Sequence, residues 1–514
     1  MTMQSTVPPP PEPLPPEQLT SYLGARGYTI LKSALDTKEI IALRKELTAK
    51  PLAPQSPVQP PTFPVYRESP TKIYIPRQFG LDEFGEPDES RIPRGTDIAV
   101  PFTGGLRDYQ IAITNRYIDH VTDPSTPYVG GGLLEIPCGR GKTVCALSII
   151  SQLKTKTLII VHKGFLLNQW VERIEQFLPT ARVGRIQGKT IDIEGKDIVI
   201  GMLQSLSMKE YKPETFSSFG LVVVDECHHI SSEVFCRSLM RIVTRYTLGL
   251  SATMNRKDGL TYIFKMFMGA VVYKEIREKD DSVVVRSVRY NAPNDRDFNE
   301  IALDYRGNVQ FSTMISKLCT YNRRSDFIIR IVESELKERP QQQIMILAHN
   351  RNLITYLHDA IQHRGIATVG LYVGGMKESA LKETETKTIV IGTYAMASEG
   401  LDIKTLTTLL FASPKTDIVQ AVGRILRVKH DRPLVIDVVD THDCFKRQWA
   451  KRRAFYKKEK YRIVQFDNEE DYMARGTANE CTNECTTGSA DDDDSMDDDG
   501  PAVASGCVLD LAAL

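Results

Sequence analysis

The chain has 514 residues, of which 41% are hydrophobic and 25% charged, the balance of a globular protein with two or three folded units. No run of about 18 apolar residues occurs, and the N-terminus has no basic segment followed by an apolar one, so neither a membrane-spanning nor a secreted protein is expected. The nine cysteines follow no disulfide or zinc spacing, which fits reduced thiols in a soluble intracellular protein. A formal net charge of zero hides a division: residues 467–514 hold 14 acidic residues and one basic residue, Arg475, so the rest of the chain is strongly basic. A basic body suits a polyanionic partner.

In chain order, residues 1–16 are Pro-rich and predict a disordered leader. Residues 17–100 predict a small N-terminal α/β domain. Its segment 18–48 reads as helix, strand and helix, and a Pro-rich linker follows at 51–64. Residues 101–260 alternate short apolar runs with amphipathic stretches, the pattern of a parallel sheet wrapped by helices, with strands expected at 132–136, 157–161, 198–202, 221–224 and 247–250. Residues 261–308 read as a connector or small insertion containing two β-rich stretches. A second α/β unit over 309–466 has strands expected at 343–348, 367–372, 388–393, 406–412 and 433–439. The acidic tail, 467–514, is expected to be disordered.

The chemistry-bearing motifs begin in the first unit. The apolar 133–136 run leads into Pro137, Cys138, Gly139, Arg140, Gly141, Lys142 and Thr143, and then into a helical stretch. A glycine loop between a strand and a helix N-terminus aims backbone N–H groups and the helix dipole at phosphate. Lys142 is expected at the β/γ-phosphates of ATP and the Thr143 hydroxyl on Mg²⁺. The strict eight-residue pattern is not met, because position 136 is Ile. Further on, the apolar run 221–224 delivers Asp225 and Glu226, followed by Cys227, His228 and His229. Hydrolysis needs one carboxylate to hold the metal and one to place the water, and Asp225 and Glu226 are assigned to these tasks. Zinc binding by Cys227, His228 and His229 is set aside, since three adjacent residues converge poorly on one metal.

The order of further segments is similar to that of the superfamily 2 helicases. Arg107-Asp108-Tyr109-Gln110 resembles their adenine-reading element, with Gln110 as the reader. Ser251-Ala252-Thr253 resembles the motif that couples ATP and nucleic-acid sites. The stretch from Gly392 to Asp402 resembles motif V, and Gln420 to Arg427 resembles motif VI. The resemblance implies two tandem RecA-like lobes. It adds Gly400 and Asp402 to the nucleotide site, and it brings Gln420, Arg424 and Arg427 from the second lobe as catalytic groups. Charge developing on a transferred phosphoryl group calls for such arginines.

Within the superfamily, the loop at 137–139, the paired His228-His229, Arg256-Lys257-Asp258 and the 423–427 segment resemble the XPB-like branch, which has Glu where Lys257 stands. The N-terminal stretches 64–69 and 72–77 resemble helicases of large nucleocytoplasmic DNA viruses. The strand-binding motifs would then comprise Lys163 beside His162, Gln204 with Ser205, Asn350 and Thr393. Non-specific contact with phosphates is expected. The resemblance implies DNA rather than RNA, a monomeric motor working beside transcription or replication proteins, and residence in host cytoplasm, nucleus or virion. An RNA helicase and a catalytically weak nucleic-acid-binding scaffold remain as alternatives. Trp170 and the basic, aromatic segment 444–462 each admit two readings, core packing or contact with nucleic acid, with packing favoured.

Overall fold

The computed structural model describes residues 19–52, 59–137, 139–229, 233–254, 256, 258–275, 282–399, 403–425, 430 and 432–476. Cys138, Gly400, Asp402, Arg427, Lys257, the leader and most of the acidic tail lie outside them.

Two parallel sheets flanked by helices form the body. The first runs in the order Thr190–Ile191, Val183–Gln187, Ile198–Met202, Thr157–Val161, Leu221–Asp225, Tyr246–Ser251, Gly131–Glu135 and Val271–Lys274, parallel throughout except for its short first strand. The second runs Val369–Tyr372, Ile389–Thr393, Gln343–Ala348, Leu406–Phe411, Leu434–Asp440, Val284–Tyr290 and Arg462–Phe466, all parallel. Continuous burial of Thr157–Val161, Leu221–Asp225 and Gln343–Ala348 reflects helices covering both faces, which is why these strands read as unbroken apolar runs. This is the tandem RecA-like architecture. Because the strands are parallel, the loops after their carboxyl ends collect along one edge of each sheet, where α/β folds bind ligands.

The β-rich stretches within 261–308 do more than connect. Val271–Lys274 pairs with Gly131–Glu135 at the edge of the first sheet, and Val284–Tyr290 lies inside the second, between Leu434–Asp440 and Arg462–Phe466. The N-terminal segment also differs from its expected helix, strand and helix. Ser21–Gly24 and Gly27–Leu31 form an antiparallel hairpin, and only Thr37–Glu46, capped by Asp36, is an α-helix there. The turn decides this. Gly27 has φ 96°, and a Cβ there would meet the Ile75 carbonyl oxygen at 2.3 Å, a backbone state that a helix cannot use.

This hairpin belongs to a five-stranded front sheet that docks on the first lobe through a buried cation. Arg77 Nε donates to the Tyr128 carbonyl at 3.1 Å, and its NH1 donates to the carbonyls of Thr244 and Arg245 at 3.1 and 2.8 Å. Burial pushes the Arg77 pKa down to about 10, so the carbonyls compensate the charge only in part. Among the described residues two exposed polar pairs cross between the lobes: Asn168 Nδ2 donates to Glu378 at 2.8 Å, and Lys382 Nζ to Glu172 at 2.7 Å.

Two buried ion pairs brace the second lobe. Arg324 clasps Asp440 at 2.5 and 2.8 Å and donates to the Ala412 carbonyl at 2.6 Å. Arg452 clasps Asp437 at 2.8 and 2.7 Å, and Tyr456 donates to the same carboxylate. Both Arg324 and Asp440 have fully buried side chains, so removing one charge strands the other. Asp440→Asn is expected to destabilise the protein by about 3–5 kcal/mol. A denaturant-unfolding midpoint that stays at the wild-type value would contradict this account of the pair.

In the helix Asp443–Lys458 the rings of Phe445 and Tyr456 are buried while Lys446, Arg447, Lys451, Lys457 and Lys458 face water, as the packing reading expects; Arg452 is an exception, buried against Asp437. Among the described residues, no helix is long and apolar enough to cross a membrane.

Candidate functional site

The strand Gly131–Glu135 runs through Ile136 and Pro137 into the helix Lys142–Leu153, with Gly139 at φ 83° and Gly141 at φ 81°. Both glycines hold left-handed backbone that L side chains rarely adopt. The first N–H groups of a helix have no partner within it and carry the positive end of its dipole. Here they face the turn made by residues 139–141. Thr143 lies in this first helical turn, half-buried beside Lys142.

The element at 107–110 fastens this loop. Gln110 is buried, its Nε2 donates to the Arg140 carbonyl at 3.2 Å, and its Oε1 accepts from the Arg107 N–H at 3.0 Å. The Tyr109 hydroxyl donates to the same Arg140 carbonyl at 3.4 Å. Arg140 in turn lies 3.8 Å over the Tyr109 ring and donates through Nε to Glu275 Oε1 at 2.6 Å. Glu275 directly follows the strand Val271–Lys274, and nothing in its local sequence marks it.

Asp225 and Glu226 close the strand Leu221–Asp225 opposite the loop. Asp225 is 8% exposed, and the Trp170 indole N–H donates to its Oδ2 at 2.9 Å. Trp170 is therefore a core residue, as favoured, that also holds a site carboxylate. Burial and the neighbouring Glu226 charge raise the Asp225 pKa against the pull of Lys142. For Glu226, burial alone would raise it too, but Lys142 above all, with His228 and Arg424, brings it below the usual carboxylate value. Lys142 Nζ lies 3.0 Å from Glu226 Oε1, which accounts for that direction. Glu226 Oε2 is buried and accepts no hydrogen bond, with His228 Nδ1 at 3.4 Å. The backbone at Glu226 has φ 50°, in the left-handed region, and a β-strand exit rarely holds a glutamate that way unless its surroundings enforce it.

His228 links this pair to the third motif. Its Nδ1 is 2.8 Å from Ser251 Oγ, which donates to the Thr253 carbonyl at 2.6 Å and accepts from the Thr253 N–H at 3.2 Å. Burial lowers the His228 pKa against the pull of the neighbouring Glu226 charge. The Arg256 guanidinium donates to the His228 carbonyl and also pairs with Asp258.

From the second lobe, the helix Val419–Ile425 carries Gln420, half-buried, and Arg424, buried, whose Nε donates to the Ala397 carbonyl at 2.8 Å. The Arg424 charge is one of those acting on Glu226. The two lobes thus meet electrostatically at Glu226.

The residues assigned to strand contact follow carboxyl ends of neighbouring parallel strands. Lys163 caps the helix Gly164–Phe177 after the strand Thr157–Val161, and Gln204 and Ser205 open the helix after Ile198–Met202. Gln204 Nε2 donates to the His162 carbonyl at 3.0 Å, and Ser205 Oγ accepts from the Gly188 N–H at 2.9 Å. In the second lobe Asn350 follows Gln343–Ala348 and caps the next helix, and Thr393 ends the adjacent strand Ile389–Thr393. Each lobe brings its own set together on one edge.

A protein of Acanthamoeba polyphaga mimivirus, provisionally named an ATP-dependent RNA helicase, is 34% identical over 459 residues, which cover 86% of this chain and 86% of its own length. The chain belongs to the superfamily 2 helicases. It is an ATP-dependent nucleic-acid helicase, and therefore an ATP hydrolase. Residues 103–256 of the helicase match the family described as type III restriction enzyme, res subunit. A provisionally named helicase of Invertebrate iridescent virus 6 is 28% identical over 70% of this chain and 83% of its own. The fold is shared with the type ISP restriction-modification enzyme LlaBIII bound to DNA, at a TM-score of 0.51 and 18% identity over 74% of this helicase and 32% of that chain.

Proposed function

We propose that this helicase is a DNA-directed motor whose ATP site is completed by closure of the two lobes. The observation that carries the reading is the convergence on Glu226 of Lys142, 3.0 Å away in the first lobe, and the charge of Arg424 from the second. In this reading Lys142 receives the β/γ-phosphates together with the loop 137–143, and Glu226 orients the attacking water. Arg424, with Gln420 and Arg427, stabilises the charge on the transferred phosphoryl group. Gln110 reads adenine, Gly400 and Asp402 border the nucleotide, and Ser251 and Thr253 pass the state of the site to the strand. The donor set suits Mg²⁺: the buried Asp225 carboxylate, the Thr143 hydroxyl and a buried Glu226 oxygen that accepts no hydrogen bond are hard oxygen ligands. Thr143 and Asp225 would hold the ion, which supplies charge neutralisation on the phosphates.

Lys163, Gln204, Ser205, Asn350 and Thr393 grip the strand through its backbone in this reading. Residues 17–100 act as an accessory domain, and the lobes expected at 101–260 and 309–466 extend into the connector to take in the strands Val271–Lys274 and Val284–Tyr290. DNA is preferred on the XPB-like resemblance and the basic body, with 3′ to 5′ movement on duplex and a role in viral transcription or genome maintenance. The RNA reading is favoured by the provisional name of the mimivirus relative. ATP hydrolysis stimulated by duplex DNA, single-stranded DNA and RNA, at matched nucleotide concentration, separates the two. Stimulation by duplex DNA well above that by RNA is expected, and the reverse order would overturn the DNA assignment.

A further inference from the structure

A cleft between the front sheet and the first lobe is used by none of the assignments above. Its walls carry Arg67 from the front sheet and, from the first lobe, Arg237 and Arg241 with the carboxylates of Glu233 and Glu210, together with Ser207 and Met208. Arg237 is paired with Glu233 at 2.5 Å, and Arg241 with the largely exposed Glu210 at 2.9 Å. Arg67 differs. It is half-buried, its NH2 makes only a long 3.4 Å bond to the Arg237 carbonyl, and no carboxylate pairs with it among the described residues. Burial first, then the neighbouring charges of Arg241, Arg26 and Arg237, disfavours its cation more than Glu210 supports it.

A guanidinium does not give up its proton to escape such a place. It is compensated when an anion enters, and its planar fork matches phosphate oxygens. The position of the cleft says which phosphate. Ser207 and Met208 end the helix Leu203–Met208 that Gln204 and Ser205 begin. Three residues of helix advance about 4.5 Å, close to the ~3.4 Å rise per nucleotide of a strand. A backbone held at Ser205 reaches the cleft within about one or two further nucleotides.

We propose that Arg67, with Arg237 and Arg241, forms an auxiliary phosphate-binding cleft through which the front domain grips the nucleic-acid backbone just beyond the first-lobe contacts. This rests on the reading that the strand passes Ser205. The test uses the full-length chain and its Arg67→Ala, Arg67→Lys and Ser205→Ala variants. Fluorescence anisotropy with labelled duplex DNA and single-stranded oligonucleotides is followed from about 0.05 to 0.2 M salt. For Arg67→Ala the slope of log K against log salt is expected to become shallower by about 0.7–0.9, with binding weakened roughly five-fold near 0.1 M salt. Arg67→Lys should keep most of the slope, and ATP hydrolysis without nucleic acid should be unchanged in both Arg67 variants. If Arg67→Ala keeps the wild-type slope while Ser205→Ala weakens binding, the proposal fails alone and the cleft is left for an acidic polypeptide. If Ser205→Ala binds as wild type, the assumed strand path fails first. A slope loss in Arg67→Ala under that result would place the strand on the front domain without Ser205.

Discussion

Arg424→Ala is expected to lower nucleic-acid-stimulated ATP turnover by about 10³- to 10⁵-fold while leaving nucleotide affinity within a few-fold of wild type. The reason lies in where the residue starts. Arg424 belongs to the second lobe and is fixed there by the Ala397 carbonyl, yet its charge acts on Glu226 of the first. A group placed in this way serves the transition state and not the ground-state grip on the phosphates, which the loop and Lys142 provide. Because Arg424 is buried, the Ala variant could lose activity by unfolding, and Arg424→Lys gives the control. Lysine keeps the charge without the planar fork, so turnover should still fall by at least about ten-fold. Single-turnover kinetics with bound nucleotide measured separately check the expectation. A drop confined to KM would place Arg424 in substrate binding instead.

Glu226→Gln is the second large effect, a loss of about 10²- to 10⁴-fold in the hydrolysis step. The substitution is nearly isosteric and keeps an acceptor for Lys142 Nζ, so it should leave ATP bound and uncleaved. The charge balance sets the pH behaviour. Lys142, His228 and Arg424 outweigh burial and hold Glu226 below the ordinary carboxylate range, whereas burial and the Glu226 charge push Asp225 above it. With its folded pKa depressed, Glu226 stays ionised as pH falls through the usual carboxylate value. In the metal-free protein the upper of the pair's two macroscopic carboxyl titrations is then expected to belong mainly to Asp225. An upper titration, followed without metal, that disappears in Glu226→Gln but keeps its midpoint in Asp225→Asn would reverse that order. Retention of wild-type turnover by Glu226→Gln would remove the glutamate from the chemistry altogether.

The sheets were readable because parallel strands covered on both faces are unbroken apolar runs, and Leu221–Val224 or Gln343–Ala348 can hardly be anything else. The loop glycines were readable because two left-handed positions in one turn leave few residue choices. The hairpin Ser21–Leu31 reads in sequence as helix followed by strand, since its apolar spacing is short and its turn depends on the approach of the Ile75 carbonyl, a contact 48 residues away along the chain. Distance along the chain also hid Glu275, which meets Arg140 from the sheet edge, and the bond from Trp170 to Asp225. In each case the residue type was visible and the partner was not. Arg67 is the extreme case, because its interest lies in having no carboxylate paired with it among the described residues, which no local pattern foretells.

The polar pairs that cross between the lobes, Asn168 with Glu378 and Glu172 with Lys382, carry a consequence for how the engine can be biased. Both lie in water, and such pairs add little to stability and are weakened by salt. The front domain, by contrast, is bound to the first lobe through the buried Arg77. The front domain is thus expected to move with the first lobe as one body, whereas exposed pairs of this kind hold the second lobe weakly, and raised salt is expected to loosen them.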